Sequence, residues 1–216
     1  MVRTELDHLV VMAATLEAGV VWVRERLGVI VPLGGKHDKM ATHNAVMALG
    51  TGVYFEIIAI DPEAPPPTKP RWFAFDDPTF RDRLERDGPR LAHWVVRSND
   101  IDATLAKACV NLGVATAMSR GDLHWQIAIR PDGRLVEGGL IPTVIEWPTG
   151  PHPSERMSDL DVRLKQLTLR HPEPRRLADM LRSLHADGFV DIEPSSQGEP
   201  AIEARFSGPL GETILS

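Results

Sequence analysis

The sequence contains a single cysteine, Cys109, among its 216 residues. One cysteine can form neither an intrachain disulfide nor a cysteine-rich zinc site, so both are excluded. Cys109 falls in the apolar-periodic stretch IDATLAKACVNLG. We therefore expect a buried, unreactive thiol at this position rather than a nucleophile.

Long apolar runs and basic clusters are also missing. No stretch approaches the roughly 20 apolar residues that a membrane-spanning helix needs, and MVRTELDHLVVM lacks the uncharged core of a secretory signal. The net charge is −6 and no Lys/Arg-rich run occurs, which argues against nucleic-acid binding. We expect a cytoplasmic protein that binds neither membranes nor nucleic acids.

The overall composition is that of an ordinary folded chain. Hydrophobic residues make up 43% and charged residues 25%, which is enough apolar material for a sizeable core. The catalytic motifs GxSxG, HExxH and CxxC do not occur.

Predicted elements recur in the same order, which indicates an internal repeat. Each repeat begins with an apolar strand and an amphipathic helix and continues with further strands. The predicted fold class is α+β, with paired βαβββ modules and a third, partial βαβ-type unit. The predicted units are residues 1–62 for the first module, 63–88 for a proline-rich linker and connecting helix, 89–153 for the second module and 160–216 for the partial third module.

Local sequence signals predict helices within these units. Apolar spacing predicts a helix over residues 16–27 that ends at Gly28, followed by a weak strand near 29–33. A short connecting helix is expected after Pro78, and PRRLADMLRSLHADG has the pattern of an amphipathic helix.

A histidine and a glutamate occupy corresponding places in the first two modules. His8 and His93 lie in the opening strands LDHLVV and LAHWVV, and Glu56 and Glu146 lie in the closing strands VYFEIIAI and TVIEWP. A carboxylate among apolar strand residues is costly to bury unless it is paired or metal-bound. Two imidazoles and two carboxylates are enough to hold one divalent metal ion.

The same residues also allow a structural interpretation. His8 could simply cap the entry of the chain into the sheet, and either glutamate could pair with an arginine such as Arg97. His43 and His124 lie on strands from which they could contact a substrate. Three other histidines are expected at surface or turn positions: His152, His171 and His185.

Four blocks of the chain resemble the vicinal oxygen chelate superfamily, and most closely its bacterial glyoxalase-like domain proteins. The superfamily includes glyoxalase I, extradiol dioxygenases and the bleomycin resistance proteins. The blocks are LDHLVV at 6–11, GGKHDKMATHNAVMALGTGVYFEIIAIDP at 34–62, LAHWVVRSNDID at 91–102 and IEWPTGPHP at 145–153.

The resemblance implies a fold and a set of site residues. Two βαβββ modules would form a mixed sheet that curves around a cleft, and a divalent ion (Zn, Ni, Fe, Mn or Co) would be bound there. The implied metal ligands are His8, Glu56, His93 and Glu146. Glu146 would be the general base, with Glu56 as the alternate. The expected substrate contacts are His43, Arg97, His124 and Trp125.

Two functions follow as expectations. The first is a glyoxalase-like, metal-dependent isomerase, lyase or dioxygenase-type enzyme acting on a small substrate with vicinal oxygens. The alternative is a metal-free protein of the bleomycin-resistance type that binds or sequesters a small molecule. No set of basic residues matches a glutathione site. A homodimer is expected for this fold.

Overall fold

The computed structural model describes residues 1–196 and 198–216. Its first five regular elements are β1 (Thr4–Met12), α1 (Leu16–Leu27), β2 (Leu33–His37), β3 (Thr42–Ala48) and β4 (Tyr54–Ile60). Helix α1 has the predicted bounds and ends at Gly28, whose φ of 73° is left-handed. The weak strand expected near 29–33 begins instead at Leu33, because Pro32 has no N–H group to donate to a partner strand.

The next elements are α2 (Pro78–Asp87), β5 (Arg90–Ser98), α3 (Ile101–Lys107), β6 (Val114–Arg120), β7 (Leu123–Ile129) and β8 (Thr143–Glu146). Helix α2 confirms the connecting helix predicted after Pro78. Helix α3 is shorter than the apolar pattern suggested, because Ala108 leaves the helical region with φ −59° and ψ 128°. Cys109 is consequently exposed, and the expectation of a buried thiol is wrong.

The C-terminal unit contains β9 (Arg163–His171), α4 (Pro174–Ser183), β10 (Asp191–Pro194), β11 (Ala201–Gly208) and β12 (Gly211–Leu215). The predicted amphipathic helix is confirmed: Leu177, Leu181 and Leu184 are fully buried. The unit repeats the element order of the modules with different pairing. Strand β9 pairs in parallel with the strand after the helix, β10, whereas β1 pairs in parallel with β4 at the end of its module.

The two modules share one mixed sheet of eight strands in the order β2-β3-β4-β1-β5-β8-β7-β6. Its centre is the antiparallel pair β1–β5. The sheet curves until its two ends meet, where Arg120 of β6 donates to Asn44 of β3 at 3.0 Å and Lys39 donates to the carbonyl of Ala117 at 2.8 Å.

The two faces of this sheet belong to different hydrophobic clusters. The outer face packs against α1, α3 and the second sheet, for instance through the edge-to-face contact of Phe55 with Phe206 at 5.7 Å between ring centroids. The concave face encloses a second cluster that includes Val10, Ile58 and Val95. The predicted α+β fold of paired modules around a curved sheet is therefore confirmed. None of the helices in the described ranges is long and apolar enough to cross a membrane.

Candidate functional site

Strand alternation brings His8 and Glu56 into the concave interior. In β1, Val10 shares the face of His8, and in β4, Ile58 shares the face of Glu56; both apolar residues belong to the interior cluster. His8 is 3% exposed and Glu56 is 5% exposed. His8 Nε2 lies 3.6 Å from Glu56 Oε2, so these two groups can act on the same small molecule.

Asp7 fixes the orientation of His8. The register of β1 against β5 shifts between Leu6 and His8, which makes Asp7 the additional residue of a β-bulge. A bulge redirects side chains that would otherwise alternate, and Asp7 Oδ1 lies 2.6 Å from His8 Nδ1. Its other oxygen accepts hydrogen bonds from Trp147 Nε1 at 2.9 Å and His152 Nε2 at 3.0 Å.

The Asp7 carboxylate is ionised despite being fully buried. Burial by itself raises the pKa of Asp7, but the hydrogen bonds from His152 and His8, with their charges, outweigh burial and lower the pKa to about 2. An ionised Asp7 can only accept a hydrogen bond, so His8 Nδ1 donates to it. The other ring nitrogen of His8, Nε2, faces Glu56.

Asn44 links Glu56 to Arg120 through hydrogen bonds. The Asn44 amide nitrogen donates to Glu56 Oε1 at 2.6 Å, and the amide oxygen accepts from Arg120 Nη1 at 3.0 Å and from the backbone N–H of Gly35 at 2.9 Å. Arg120 has no carboxylate within ion-pair distance among the described residues. Its charge is available to an anion in the cleft.

His37 and Tyr54 complete this end of the cleft as neutral groups. Burial, and then the charge of Arg120, lowers the pKa of His37 to about 3, so its Nε2 can accept from Arg120 Nη1 at 3.4 Å. Tyr54 stacks on His8 at 4.3 Å between ring centroids. Burial, and then the charges of Asp7 and Glu56, raises the pKa of Tyr54 well above its ordinary value.

The linker before α2 inserts two aromatic side chains into the interior. Trp72 and Phe73 are stacked at 5.3 Å, and both border two separate small cavities of about 30 Å³ each. One cavity contains His8 and Glu56 and the other contains His93. The two aromatic residues, called here the Trp72–Phe73 wedge, divide the predicted site.

His93 is buried on the far side of the wedge and both of its ring nitrogens are engaged. Nδ1 lies 3.0 Å from the carbonyl oxygen of Gly139 and must donate to it, so Nε2 accepts from the backbone N–H of Thr143 at 3.2 Å. The Thr143 hydroxyl oxygen also lies near this nitrogen, 2.9 Å from Nε2. Burial lowers the pKa of His93 to about 4, so this histidine is a neutral, hydrogen-bonded residue of the interior.

Glu146 lies on the opposite face of the sheet from His8. Its neighbour Ile145 occupies the interior, so alternation directs Glu146 outwards. There, Oε2 accepts the backbone N–H of Ile101 at 2.6 Å, at the first residue of α3. The prediction that Glu146 faces the cleft as a metal ligand and base is wrong, because β8 presents Thr143 and Ile145 to the interior instead.

The four predicted ligands do not fit a shared metal ion. His93 Nε2 is engaged with Thr143, Glu146 is outside the cleft, and only His8 and Glu56 approach each other. In the described part of the chain, no group of three or more His, Cys, Asp or Glu side chains is arranged to hold a metal ion.

Of the four predicted substrate contacts, only Trp125 lines the cavity of His8. His43 is on the other face of β3 from Asn44, and His124 is exposed on the outside of β7. Arg97 donates to the backbone carbonyl oxygens of Leu6 and Gly52 and so has a structural role.

Sequence reasoning missed most polar residues of the cavity. Regular strand alternation predicts that Asp7 points to the other face of the sheet from His8, and only the bulge changes that. Arg120 reaches the site by closure of the curved sheet, which no local pattern encodes. His152 and His171 were expected at the surface or in turns; His152 binds Asp7, and His171 is buried with Nε2 3.2 Å from Glu137.

The comparison with family models identifies residues 6–185 as a glyoxalase-like domain. The chain belongs to the glyoxalase-like domain family. This assignment confirms the resemblance to the vicinal oxygen chelate superfamily. No match was found among the curated proteins.

The solved structures that match this glyoxalase-like protein are distant from it in sequence. A hypothetical protein from Staphylococcus aureus is 13% identical, with a TM-score of 0.60 over 84% of this chain and 75% of that one. Methylmalonyl-CoA epimerase from Mycobacterium tuberculosis is 21% identical, with a TM-score of 0.42 over 68% and 88%. A mutant 4-hydroxymandelate synthase from Streptomyces coelicolor is 13% identical, with a TM-score of 0.49 over 99% and 63%. At 13% identity, the likeness to the Staphylococcus aureus protein concerns the fold alone.

Proposed function

We propose that this glyoxalase-like protein is an enzyme that transfers protons at a carbon next to a carbonyl group of a small oxygenated substrate, as an isomerase or lyase. The observation that carries the proposal is the Asp7–His8–Glu56 arrangement. A buried imidazole is held in one tautomer by a carboxylate, and its free nitrogen lies 3.6 Å from a second carboxylate. Two proton-transfer groups facing one cavity are the equipment of general acid–base catalysis.

The proposed reaction needs no co-reactant. Glu56 takes the proton from the carbon, the electrons of the broken C–H bond form a carbon–carbon double bond, and the carbonyl electron pair moves to oxygen to give an enolate. Glu56 then passes this proton to His8 Nε2, and His8 delivers it to a different atom of the enolate. Both groups return to their starting states, so the net change is a rearrangement of the substrate.

The experiment is hydrogen–deuterium exchange of the substrate carbon in D₂O, followed by proton NMR. The probes are 2,3-butanedione, 1-hydroxy-2-butanone and 2-oxohexanoate, each compared with buffer alone. Glu56→Gln and His8→Gln should each lower the exchange rate by about 100-fold or more, the usual effect of removing a general acid or base. The matched control is Glu146→Gln, which removes a carboxylate outside the cleft and should exchange at the parent rate.

Two outcomes would count against the proposal. Exchange no faster than buffer with all three probes would favour the alternative of a binding or sequestration protein. The second outcome is exchange that is lost after dialysis against a chelator and restored by a divalent metal ion. It would favour a metal-dependent mechanism, which the hydrogen-bonded His93 and the outward-facing Glu146 do not support.

A further inference from the structure

An outer pocket opens beside the His8–Glu56 cavity. It has a volume of about 340 Å³, within the range of about 300–1,000 Å³ that small-molecule sites occupy. Four residues line both spaces: Val46, Arg120, Pro153 and Met157. The inner cavity is about 30 Å³, which exceeds the roughly 10–15 Å³ that one water molecule needs, so a group as small as a carbonyl can enter it.

Charge and polarity differ between the inner cavity and the outer pocket. Arg120 stands at the junction, where its guanidinium contacts Asn44 and His37 and meets no carboxylate among the described residues. The outer pocket is lined by apolar side chains such as Leu33, Val46 and Leu123, with a second arginine, Arg156, exposed at its rim.

Trp72 provides an independent sign of a ligand oxygen. The indole is 5% exposed, and its Nε1 has no hydrogen-bond partner among the described residues. A buried N–H group without an acceptor is destabilising, so a bound acceptor oxygen would remove this penalty. Trp72 lines both the cavity that contains His8 and Glu56 and the cavity that contains His93.

From these contacts we infer that the substrate is a 2-oxo carboxylate with an apolar chain: Arg120 binds the carboxylate, Trp72 Nε1 donates to the 2-oxo oxygen, and the chain occupies the outer pocket. The inference rests on the proton-transfer function proposed above, because that function requires a carbonyl beside the reacting carbon. Arginine suits a carboxylate because its planar guanidinium offers paired donors.

Isothermal titration calorimetry with three matched probes tests the assignment: 2-oxohexanoate, its methyl ester and hexanoate. We expect 2-oxohexanoate to bind at least about 10-fold more tightly than the ester, as charge-assisted hydrogen bonds commonly contribute. Arg120→Gln should weaken 2-oxohexanoate by about 10-fold or more and leave the ester unchanged, and Arg120→Lys should recover part of the loss. The matched control is Arg205→Gln, on the second sheet at β11.

Trp72→Phe keeps the aromatic wedge and removes only the donor. It should weaken 2-oxohexanoate several-fold and leave hexanoate unchanged, because hexanoate has no oxygen at that carbon. Equal binding of acid and ester, or an Arg120→Gln variant that binds the acid as the parent does, would overturn the inference.

The proposed function and this inference can fail separately. Deuterium exchange of the methyl ester at the rate of the acid would refute the carboxylate site and leave proton transfer intact. Tight, Arg120-dependent binding of 2-oxohexanoate without any exchange would support the site and refute the catalytic proposal.

Discussion

Asp7 is the residue on which the geometry of the site depends most. It is fully buried and accepts hydrogen bonds from three side chains, those of His8, Trp147 and His152. These donors come from β1 and from the segment after β8, so one carboxylate ties the beginning of the sheet to the chain that covers the cleft. A change at Asp7 should therefore affect both stability and the tautomer of His8.

Asp7→Asn should make the protein less stable at pH 7 by about 2 kcal/mol. The pKa of Asp7 falls from 3.8 to about 2 on folding, and each unit corresponds to about 1.4 kcal/mol. Because the folded-state pKa is lowered, this stability is present above about pH 4 and is lost as the pH falls through about 2. Urea unfolding across this pH range checks it. A variant that keeps the acid dependence of the parent would contradict the prediction.

The buried histidines His37 and His93 should give a second pH dependence in a different window. Their pKa values are lowered on folding, to about 3 and about 4. As the pH falls below 6.5, the histidines bind protons in the unfolded chain but not in the folded protein. The free energy of unfolding therefore decreases until the pH reaches the folded-state pKa values. Near pH 5.5 each histidine should contribute a slope of about 1 kcal/mol per pH unit.

His37→Gln and His93→Gln should each flatten this slope, even if they lower stability at neutral pH. The measurement is the free energy of unfolding in urea at intervals between pH 7 and 4.5. His185→Gln is the control, because His185 is exposed. An unchanged slope in both buried variants would show that these histidines are not neutral in the folded state.

At the scale of elements, Glu146 belongs to helix α3 rather than to the cleft. Its carboxylate accepts the N–H of Ile101, and an anion at a helix N-terminus is stabilising. Glu146→Ala should therefore lower stability by about 1 kcal/mol with no change in proton-exchange rate. Thermal unfolding checks the stability loss, and the deuterium-exchange assay checks the unchanged rate. A slower exchange in a variant that still folds would show that Glu146 takes part in the reaction.

The Trp72–Phe73 wedge is an element-scale feature of the linker. Phe73 and Ala74 both have left-handed backbone conformations, with φ of 57° and 59°, which the packing of the wedge must hold in place. Phe73→Ala should destabilise the protein by about 3 kcal/mol, because it leaves a cavity where two cavities already meet.

Phe80→Ala is the matched control for this prediction, since Phe80 on α2 is only partly buried. Denaturant midpoints of the two variants give the comparison. Equal losses would mean that the wedge is not packed as described.

At the scale of the whole molecule, the two sheets share one hydrophobic cluster. Phe55 of the large sheet packs on Phe206 of the small one, and all five tryptophans precede residue 160. Tryptophan fluorescence therefore reports on the part of the chain that forms the large sheet. Phe206→Ala, a change in the small sheet, should lower the unfolding midpoint seen by fluorescence and by circular dichroism equally, with a loss of about 3–4 kcal/mol.

The exposed Leu210 serves as the control for that experiment, because Leu210→Ala removes no buried contact of comparable size. Separate transitions for the two probes in Phe206→Ala would mean that the sheets unfold independently.

Much of the fold could be read from local patterns. The periodicity of α1, the apolar strands β1 and β4 and the amphipathic α4 were predicted because each buries one face, and burial leaves a repeating signal in the sequence. His8 and Glu56 were found for the same reason, since a polar residue inside an apolar strand departs from the pattern.

The tertiary structure alone decided which of the four predicted ligands meet. Strand register directs Glu146 away from the interior, the wedge separates His93 from His8, and a single bulge turns Asp7 towards His8. Arg120 reaches Asn44 only because the eight-stranded sheet curves until its ends touch. The sequence by itself determined the elements and their buried faces, because those depend on neighbouring residues. The chemistry of the cleft depended on bulges, register and closure, which are set by contacts between residues far apart in the chain.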